Sequence, residues 1–245
     1  MFVSRVRLQN WMNFIAVDVR LGKRTFVVGP NASGKSNFLD AIRFLRDLAR
    51  GDGFGGAVAK RGGVSRIRCL AARRVPVVKL SVDLSDSDDS DPEWSYTVAF
   101  AKEPAGAHSA MITEEIVEHR GREVLHRPDD ADRDDPLRLS QTHLEQISAN
   151  KDFREVAEFL RETRQSKRKP QVITTTHSPD LLDDPGIAAN EILLLIPGVQ
   201  GTSVRPAAEI PEVRALLESG MSPAEVVIPA TAPRDAHQLA LFRPD

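Results

Sequence analysis

One eight-residue stretch constrains this chain more than any other feature. Residues 29–36 read Gly-Pro-Asn-Ala-Ser-Gly-Lys-Ser, which matches the G-x-x-x-x-G-K-[ST] pattern of a phosphate-binding loop, the Walker A motif. The β-branched and aromatic run 25–28 before it predicts a buried strand. Residues 38–48 after it are apolar at helical spacing. Strand, glycine loop and helix in this order are what phosphate binding at a helix N-terminus requires.

The residue types of the loop fit a nucleotide polyphosphate with a divalent cation. Glycines allow a tight turn and a close approach of the backbone to an anion, and successive backbone N–H groups form a cradle for phosphate oxygens. The lysine would reach the β- and γ-phosphates, and the hydroxyl of Ser36 would bind Mg²⁺. The predicted nucleotide-binding residues are Gly29, Pro30, Asn31, Ala32, Ser33, Gly34, Lys35, Ser36 and Asn37.

Composition narrows the class of protein. The 245 residues are 41% hydrophobic and 28% charged, which is typical of a globular chain with a buried core. A net charge of -2 argues against a globally basic nucleic-acid binder and leaves a local basic face open. The single cysteine, Cys69, excludes an intrachain disulfide, so we expect a cytoplasmic protein. The longest apolar run, residues 192–196, is too short to span a bilayer, and we expect no membrane association.

Hydrophobic patterns in the first half of the chain predict a series of strands separated by loops. Alternation at residues 2–8 and 14–21 predicts two strands that form an antiparallel hairpin. The glycine-rich residues 51–56 predict a loop. Further alternating runs within residues 64–127 predict an antiparallel β lobe.

The second half starts with a helical pattern over residues 137–169. Four of the six residues at 164–169 are basic, which fits either a solvated helix end or a contact with nucleic-acid phosphates. The β-branched run 172–176 predicts a buried strand, and Pro179 suits the first position of a following helix. His177 is therefore expected at the carboxyl edge of the sheet, where ligands bind in open α/β sheets.

Together, the loop at 29–37 and Thr-Thr-His-Ser-Pro at 175–179 resemble the ATPase head of the ABC-type family, which includes RecF-like proteins, structural-maintenance-of-chromosomes (SMC) proteins and overcoming-lysogenization-defect-like AAA ATPases. The resemblance implies an α/β fold, a P-loop NTPase sheet with helices plus an antiparallel β lobe. Residues 229–245 are rich in proline and alanine and are expected to form a loose tail, while the resemblance implies one head over residues 1–228. It also implies that the strand before the loop pairs with the strand before His177.

The same resemblance implies ATP and Mg²⁺ as ligands and His177 as the catalytic residue that contacts the γ-phosphate. It implies ATP hydrolysis coupled to DNA repair or phage defence, with DNA, a second copy or a second chain as partners. Two elements of the family pattern are missing. No Walker B strand, an apolar run that ends in acidic residues, and no Ser-Gly signature loop are identifiable between residues 151 and 169.

Walker B carboxylates hold Mg²⁺ and orient the attacking water, so the sequence leaves hydrolysis open. Two alternatives therefore remain beside an ATPase. The first is an ATP-binding regulatory or scaffold module without turnover. The second is a small-molecule kinase, which needs an arginine lid that Arg61, Arg66 and Arg68 would have to supply.

Overall fold

Two units of the computed structural model each combine two separate stretches of the sequence. The structure describes residues 1–72, 75–88, 90–103, 110–161, 171–184 and 186–231. The first unit comprises residues 1–23 and 37–171, and the second comprises residues 24–36 and 172–245. The single head over residues 1–228 stays a prediction. Of the predicted loose tail, residues 232–245 lie outside the described residues.

The elements have the following bounds. The strands are β1 (Phe2–Trp11), β2 (Phe14–Arg20), β3 (Arg24–Val28), β4 (Val78–Ser85), β5 (Trp94–Lys102), β6 (Ala110–His119), β7 (Arg122–Arg127), β8 (Val172–Thr176), β9 (Ile192–Gly198) and β10 (Gly201–Pro206). The α-helices are α1 (Lys35–Leu48), α2 (Gly53–Ala59), α3 (Val64–Ile67), α4 (Asp130–Asp134), α5 (Arg154–Arg161), α6 (Pro179–Leu182), α7 (Pro211–Glu218) and α8 (Pro223–Ala230). Within the described ranges, no helix is long and apolar enough to cross a membrane.

The first unit is built on an antiparallel sheet with the strand order β2-β1-β4-β5-β6-β7. Alternate residues of each strand point to one face, so buried valines from neighbouring strands meet. Val6 of β1, for example, lies between Val19 of β2 and Val82 of β4, and all three are buried. The predicted hairpin of β1 and β2 and the predicted antiparallel lobe are confirmed.

Aromatic side chains join α1 to this sheet. Phe38, Phe44 and Leu48 of α1 are fully buried, at a spacing that places them on one side of the helix. The ring centroid of Phe44 lies 5.3 Å from that of Trp11 and 5.4 Å from that of Phe100. Each fully buried side chain of this size stabilises the fold by about 1.5–3 kcal/mol. These contacts hold the body of α1 in the first unit.

The loop predicted at residues 51–56 is wrong, because α2 begins at Gly53. Phe54 is completely buried, and its ring lies 5.4 Å from that of Phe100. Its backbone N–H donates a hydrogen bond of 2.7 Å to the carboxylate of Glu145, which caps the start of the helix. Glycine costs about 1 kcal/mol relative to alanine in a helix. Here the tertiary contacts of Phe54 offset that cost.

The segment predicted as helical, residues 137–169, is described up to residue 161, and within that part only α5 is an α-helix. Short 3₁₀ helices span Pro136–Ser140 and Lys151–Phe153, and α5 follows the second of them. Residues 162–170, which include the basic segment 164–169, lie outside the described part of the chain. Buried side chains hold the backbone between these elements. Glu115 accepts hydrogen bonds from the backbone N–H groups of His143 and Leu144. Side-chain partners thus replace the hydrogen bonds of a continuous helix.

A buried arginine completes this network. Arg127 is fully buried and donates to the carboxylates of Glu115 and Asp132, as well as to the backbone carbonyls of Arg138 and Gln141. Asp132 is also buried, and hydrogen bonds from Arg127 hold its pKa well below the usual range. Burying one charge without its partners is costly, so the network depends on all three side chains.

The second unit contains a four-stranded sheet with the order β10-β9-β3-β8. β3 is parallel to both β8 and β9, while β9 and β10 form an antiparallel hairpin. Val28 at the end of β3 is in register with Thr176 of β8 and with Leu194 of β9. The predicted pairing of β3 with β8 is therefore confirmed. The hydrophobic core of the second unit combines residues of the sheet with residues of the helices that follow it, including Leu182, Val213 and Val227.

Candidate nucleotide-binding site

The turn between β3 and α1 has the backbone shape of an anion cradle. Ala32 has a φ of 62° and Gly34 a φ of 99°, so left-handed residues are placed on both sides of Ser33. The left-handed conformation costs an alanine about 1–2 kcal/mol. Backbone that turns between right- and left-handed residues points successive N–H groups into one concavity, which binds anions. The strained alanine is typical of a functional loop.

Gly29 is required by the packing at the start of this loop. A Cβ atom added there would lie 2.9 Å from the backbone oxygen of Leu195 and 3.0 Å from its Cβ. It would also lie 2.6 Å from the hydroxyl oxygen of Ser33, a residue that is itself buried. Only glycine lets the loop pass β9 this closely.

Lys35, the first residue of α1, folds back over the loop. Its ammonium group donates hydrogen bonds of 2.7 Å to the backbone oxygen of Gly29 and 2.8 Å to that of Pro30. Burial lowers the pKa of Lys35 because it disfavours the charged form. An ammonium group has three donors, so one remains beyond these two bonds. The group is therefore held beside the cradle, at the positive end of a helix.

His177 lies at the same edge of the sheet as the loop. The parallel register that pairs Val28 with Thr176 makes the chain leave β3 and β8 side by side. The backbone N–H of Ser178 donates a 2.9 Å hydrogen bond to the hydroxyl of Thr176, which shapes the turn after the strand. The side chain of His177 is exposed within this turn. The expected position at the carboxyl edge follows from the register.

A cavity of about 300 Å³ connects the two motifs. Its lining contains Val28, Gly29, Pro30 and Asn31 from the loop side, His177 from the turn after β8, and Ile228 and Thr231 from the end of α8. The structure thus brings Gly29, Pro30 and Asn31 of the predicted nucleotide-binding residues onto one concave surface with His177, the predicted catalytic residue. A cavity of this volume is large enough for a ligand group.

Ile228 and Thr231 are the lining residues that sequence reasoning missed. Residues from 229 onward were predicted to form a loose tail, whereas α8 continues to Ala230. The signal was present, because Ser222 and Glu225 form a capping box and Pro223 occupies the first helical position. This motif predicts a helix that begins at residue 223.

The remaining predicted residues occupy the start of α1. Ser36 is its second residue, which places it next to Lys35 at the helix N-terminus. Asn37 belongs to the first unit, where its side-chain amide donates a 2.8 Å hydrogen bond to Asn13 and its carbonyl accepts one from Trp11. The structure therefore shows a role for Asn37 in holding the first turn of α1.

No carboxylate lines the cavity of the second unit in the part of the chain that the structure describes. The same residues contain no group of three or more His, Cys, Asp or Glu side chains that could hold a metal ion. The serine hydroxyl at a helix N-terminus beside a lysine fits one Mg²⁺ ligand and the phosphates that Mg²⁺ accompanies. A complete Mg²⁺ site would need the phosphates and water as further ligands.

Arg61, one of the three arginines considered for a kinase lid, does not support that alternative. The guanidinium of Arg61 is 6% exposed and is bound to Asp40 and Asp47 within the first unit. Its hydrogen bonds to Asp40 are 2.7 and 2.9 Å long. The guanidinium of Arg61 is thus engaged with two carboxylates of α1 inside the first unit.

Solved structures of ATPase heads show similarity to this chain. The SMC head domain from Thermotoga maritima is 13% identical, with a TM-score of 0.39, and the match covers 84% of this chain and 99% of that chain. An SmcHead bound to the C-winged helix domain of ScpA is 20% identical, with a TM-score of 0.34, and covers 51% of this chain and 38% of that one. The recombination mediator protein RecF-ATP in the RecFOR pathway is 17% identical, with a TM-score of 0.33, and covers 51% and 28%.

The chain spans less than two fifths of the length of that SmcHead and of RecF. All three TM-scores are below 0.5, so the family assignment does not depend on them. No curated protein matches the chain. A family model does match, described as "AAA domain, putative AbiEii toxin, Type IV TA system", over residues 24–148. Because that match covers just over half of the sequence and includes the phosphate-binding loop, the chain belongs to this family of P-loop ATPases.

Proposed function

We propose that this chain binds ATP with Mg²⁺ at residues 29–36 and that His177 contacts the γ-phosphate. The observation that carries the proposal is the cavity that the start of the loop shares with His177. Lys35 would exchange its bonds to the two loop carbonyls for bonds to phosphate oxygens, and Ser36 would bind Mg²⁺. Left-handed Ala32 and Gly34 would direct the loop N–H groups at the phosphates.

The proposal extends to ATP hydrolysis in DNA repair or phage defence, the setting that the resemblance of the two motifs implies. ATP hydrolysis needs a group that orients the attacking water. His177 is the titratable side chain that lines the cavity, and the described lining contains no carboxylate. A second chain or a second copy would therefore complete the site. DNA remains a proposed partner of that complete assembly.

A module that binds ATP without turnover is the second candidate, and the cavity lining favours it. With the loop intact and no carboxylate in the described lining, phosphate binding has its donors while water activation lacks its base. Such a module would report nucleotide occupancy to a partner. The two candidates share the binding step and differ only in turnover.

The first experiment measures ATP affinity and steady-state ATP hydrolysis on the purified full chain. Lys35→Ala should abolish ATP binding, while Lys102→Ala, at the exposed end of β5, should leave it unchanged. Turnover that is lost in Lys35→Ala would support the ATPase. Binding without turnover would support the module. Unchanged affinity in Lys35→Ala would refute the proposed site.

A second pair of variants tests the histidine. His177→Ala should weaken binding of ATP more than binding of ADP, because only ATP carries a γ-phosphate. His126→Ala is the matched control, since His126 is an exposed histidine of β7 that contacts Glu123. Equal effects of His177→Ala on both nucleotides would remove His177 from the γ-phosphate.

A further inference from the structure

A second cavity lies within the first unit. It has a volume of about 340 Å³, and its polar lining residues are Arg127, Arg138, Gln141, His143, Gln146 and Ser148. Small-molecule sites in proteins have volumes from about 300 Å³ upward. The groups in this lining that can carry a charge are guanidinium and imidazole, and no carboxylate belongs to it among the described residues. The lining therefore favours an anionic ligand.

The two arginines of this cavity differ in the donors that they have left. Arg127 uses all five of its N–H groups on Glu115, Asp132 and two backbone carbonyls. Arg138 uses Nε, which donates a 3.1 Å hydrogen bond to Asp132, and its two terminal nitrogens have no partner among the described residues. Two adjacent guanidinium nitrogens form a planar fork that binds two oxygens of a phosphate or carboxylate. Arg138 therefore offers an unpaired fork to the cavity.

The uncharged polar groups of the lining are also unpaired. In the part of the chain that the structure describes, the side chains of Gln141, Gln146, Ser148 and His143 make no hydrogen bond. Burial and the positive charges of the two arginines lower the pKa of His143, so its imidazole is neutral and has one donor and one acceptor nitrogen. Carboxamides and hydroxyls also provide both donors and acceptors. The cavity thus has unused groups of both kinds.

The buried network of Arg127, Glu115 and Asp132 positions the groups of this cavity. Arg127 donates a 3.0 Å hydrogen bond to the backbone carbonyl of Arg138, and Asp132 accepts the bond from the Nε atom of the same residue. Glu115 accepts a 2.8 Å hydrogen bond from the backbone N–H of His143. A binding site needs its side chains held by such supporting contacts. The network therefore fixes both Arg138 and His143 before any ligand arrives.

The balance of donors and acceptors narrows the class of ligand. A phosphate group presents three terminal oxygens in a tetrahedral arrangement, whereas a carboxylate presents two oxygens in one plane. The donors of Arg138, His143 and Ser148 come from three separate side chains, which suits the tetrahedral group. A bare phosphate would leave the carboxamide oxygens of Gln141 and Gln146 unpaired. Hydroxyl groups on the same ligand would donate to those oxygens.

We propose that this cavity binds a small phosphorylated sugar, whose phosphate accepts hydrogen bonds from Arg138 and whose hydroxyl groups bond to the carboxamides of Gln141 and Gln146. The inference goes beyond the proposed ATP site and does not depend on it. The cavity belongs to the first unit, and the lining residues of the two cavities are different.

The experiment measures binding of ribose 5-phosphate to the purified full chain by isothermal titration calorimetry. We expect this probe to bind at least fivefold more tightly than ribose, inorganic phosphate or gluconate. Ribose lacks the anion, inorganic phosphate lacks the sugar hydroxyls, and gluconate carries a carboxylate in place of the phosphate. Equal binding of any one of the three would overturn the proposed class of ligand.

Variants of the lining test the position of the site. Arg138→Met removes the fork and should weaken binding of the probe at least tenfold, whereas Arg133→Met, at an exposed arginine of α4 that pairs with Asp130, should leave it unchanged. Because Arg138 also contacts Asp132, Ser148→Asp is a second test. It adds a carboxylate at an exposed residue, so it should weaken binding at least tenfold and leave the network intact. Unchanged affinity in both lining variants would overturn the proposal.

Two further measurements separate this cavity from the phosphate-binding loop. Lys35→Ala should bind the probe as tightly as the native chain does, and loss of binding in this variant would mean that the probe occupies the loop, which would overturn the proposal. The imidazole NMR signals of His143, assigned with the His143→Gln variant, should shift when the probe is added. Unchanged signals would also overturn it. ATP affinity is measured separately, so a failed ATP site is distinguished from a failed sugar phosphate site.

Discussion

Gly29→Ala adds one methyl group at a point where the second unit has no room for it. The new Cβ would lie 2.9 Å from the backbone oxygen of Leu195 and 2.6 Å from the hydroxyl oxygen of Ser33. Leu195 is a buried residue of β9, whose backbone pairs with β10, so its oxygen cannot retreat without disturbing the sheet. The strain therefore falls on the loop.

The expected loss follows from the cost of overpacking. Forcing one extra methyl group into a packed site costs about 1–3 kcal/mol. For a chain of this size, that loss lowers the melting temperature by about 2–12 °C. A displaced loop also misdirects its N–H groups, so we expect ATP affinity to fall at least about tenfold, which corresponds to about 1.4 kcal/mol.

Thermal melts followed by circular dichroism and titrations with a fluorescent ATP analogue measure the two effects. The titrations are made well below both melting temperatures, so that lost binding does not report unfolding. Gly55→Ala is the matched control, because a Cβ there has no heavy atom within 4 Å and Gly55 is exposed in α2. It should stabilise the chain by about 0.5–1 kcal/mol and leave ATP affinity unchanged. A Gly29→Ala variant that melts within about 1 °C of the native chain and binds ATP equally well would refute the reasoning.

Three further predictions concern charge. Arg127→Met should lower the free energy of unfolding in urea by about 3–5 kcal/mol, because Glu115 and Asp132 stay buried without their cation. Arg120→Met, at an exposed ion pair, should leave that free energy unchanged. Equal losses in the two variants would contradict this reasoning. The pKa of Asp132 is lowered in the folded chain, so the contribution of its carboxylate to stability is complete above the unfolded pKa of about 4 and is lost as the pH falls. The melting temperature of Asp132→Asn should therefore decline less steeply in acid than that of the native chain. Parallel curves of melting temperature against pH for the two proteins would exclude the effect. Ser36→Ala should make ATP affinity insensitive to chelation of Mg²⁺, whereas the native chain should lose affinity with EDTA.

Local sequence patterns were sufficient to predict the secondary-structure elements on which the site's residues lie. The glycine loop lies between a strand and a helix, and the run at 172–176 forms a strand that is followed directly by His177, as the patterns predict. Both depend on short-range chemistry: glycine conformations, β-branched side chains and helix starts. Neither pattern contains the distance between the two motifs in space, which the parallel register of β3 and β8 sets.

The sequence failed where distant side chains control the backbone. Glycines at 51–56 predict a loop, yet burial of Phe54 against Phe100 and capping by Glu145 make α2. The periodicity over 137–169 predicts a helical segment, yet Glu115 and Arg127 hold part of that backbone in other conformations. Such contacts join residues far apart in the chain, and periodicity within a short window does not register them.

The sequence by itself determined that this chain carries a phosphate-binding loop, because each requirement of that loop is met by residues within a few positions of one another. Only the tertiary structure decided that His177 and the start of the loop line one cavity, that the end of α8 contributes to its lining, and that β3 lies between β8 and β9. These are properties of strand order and register, which arise from pairing between segments about 150 residues apart, such as Arg24 with Val172. Pairing over such distances depends on the whole packed sheet, and no local pattern contains it.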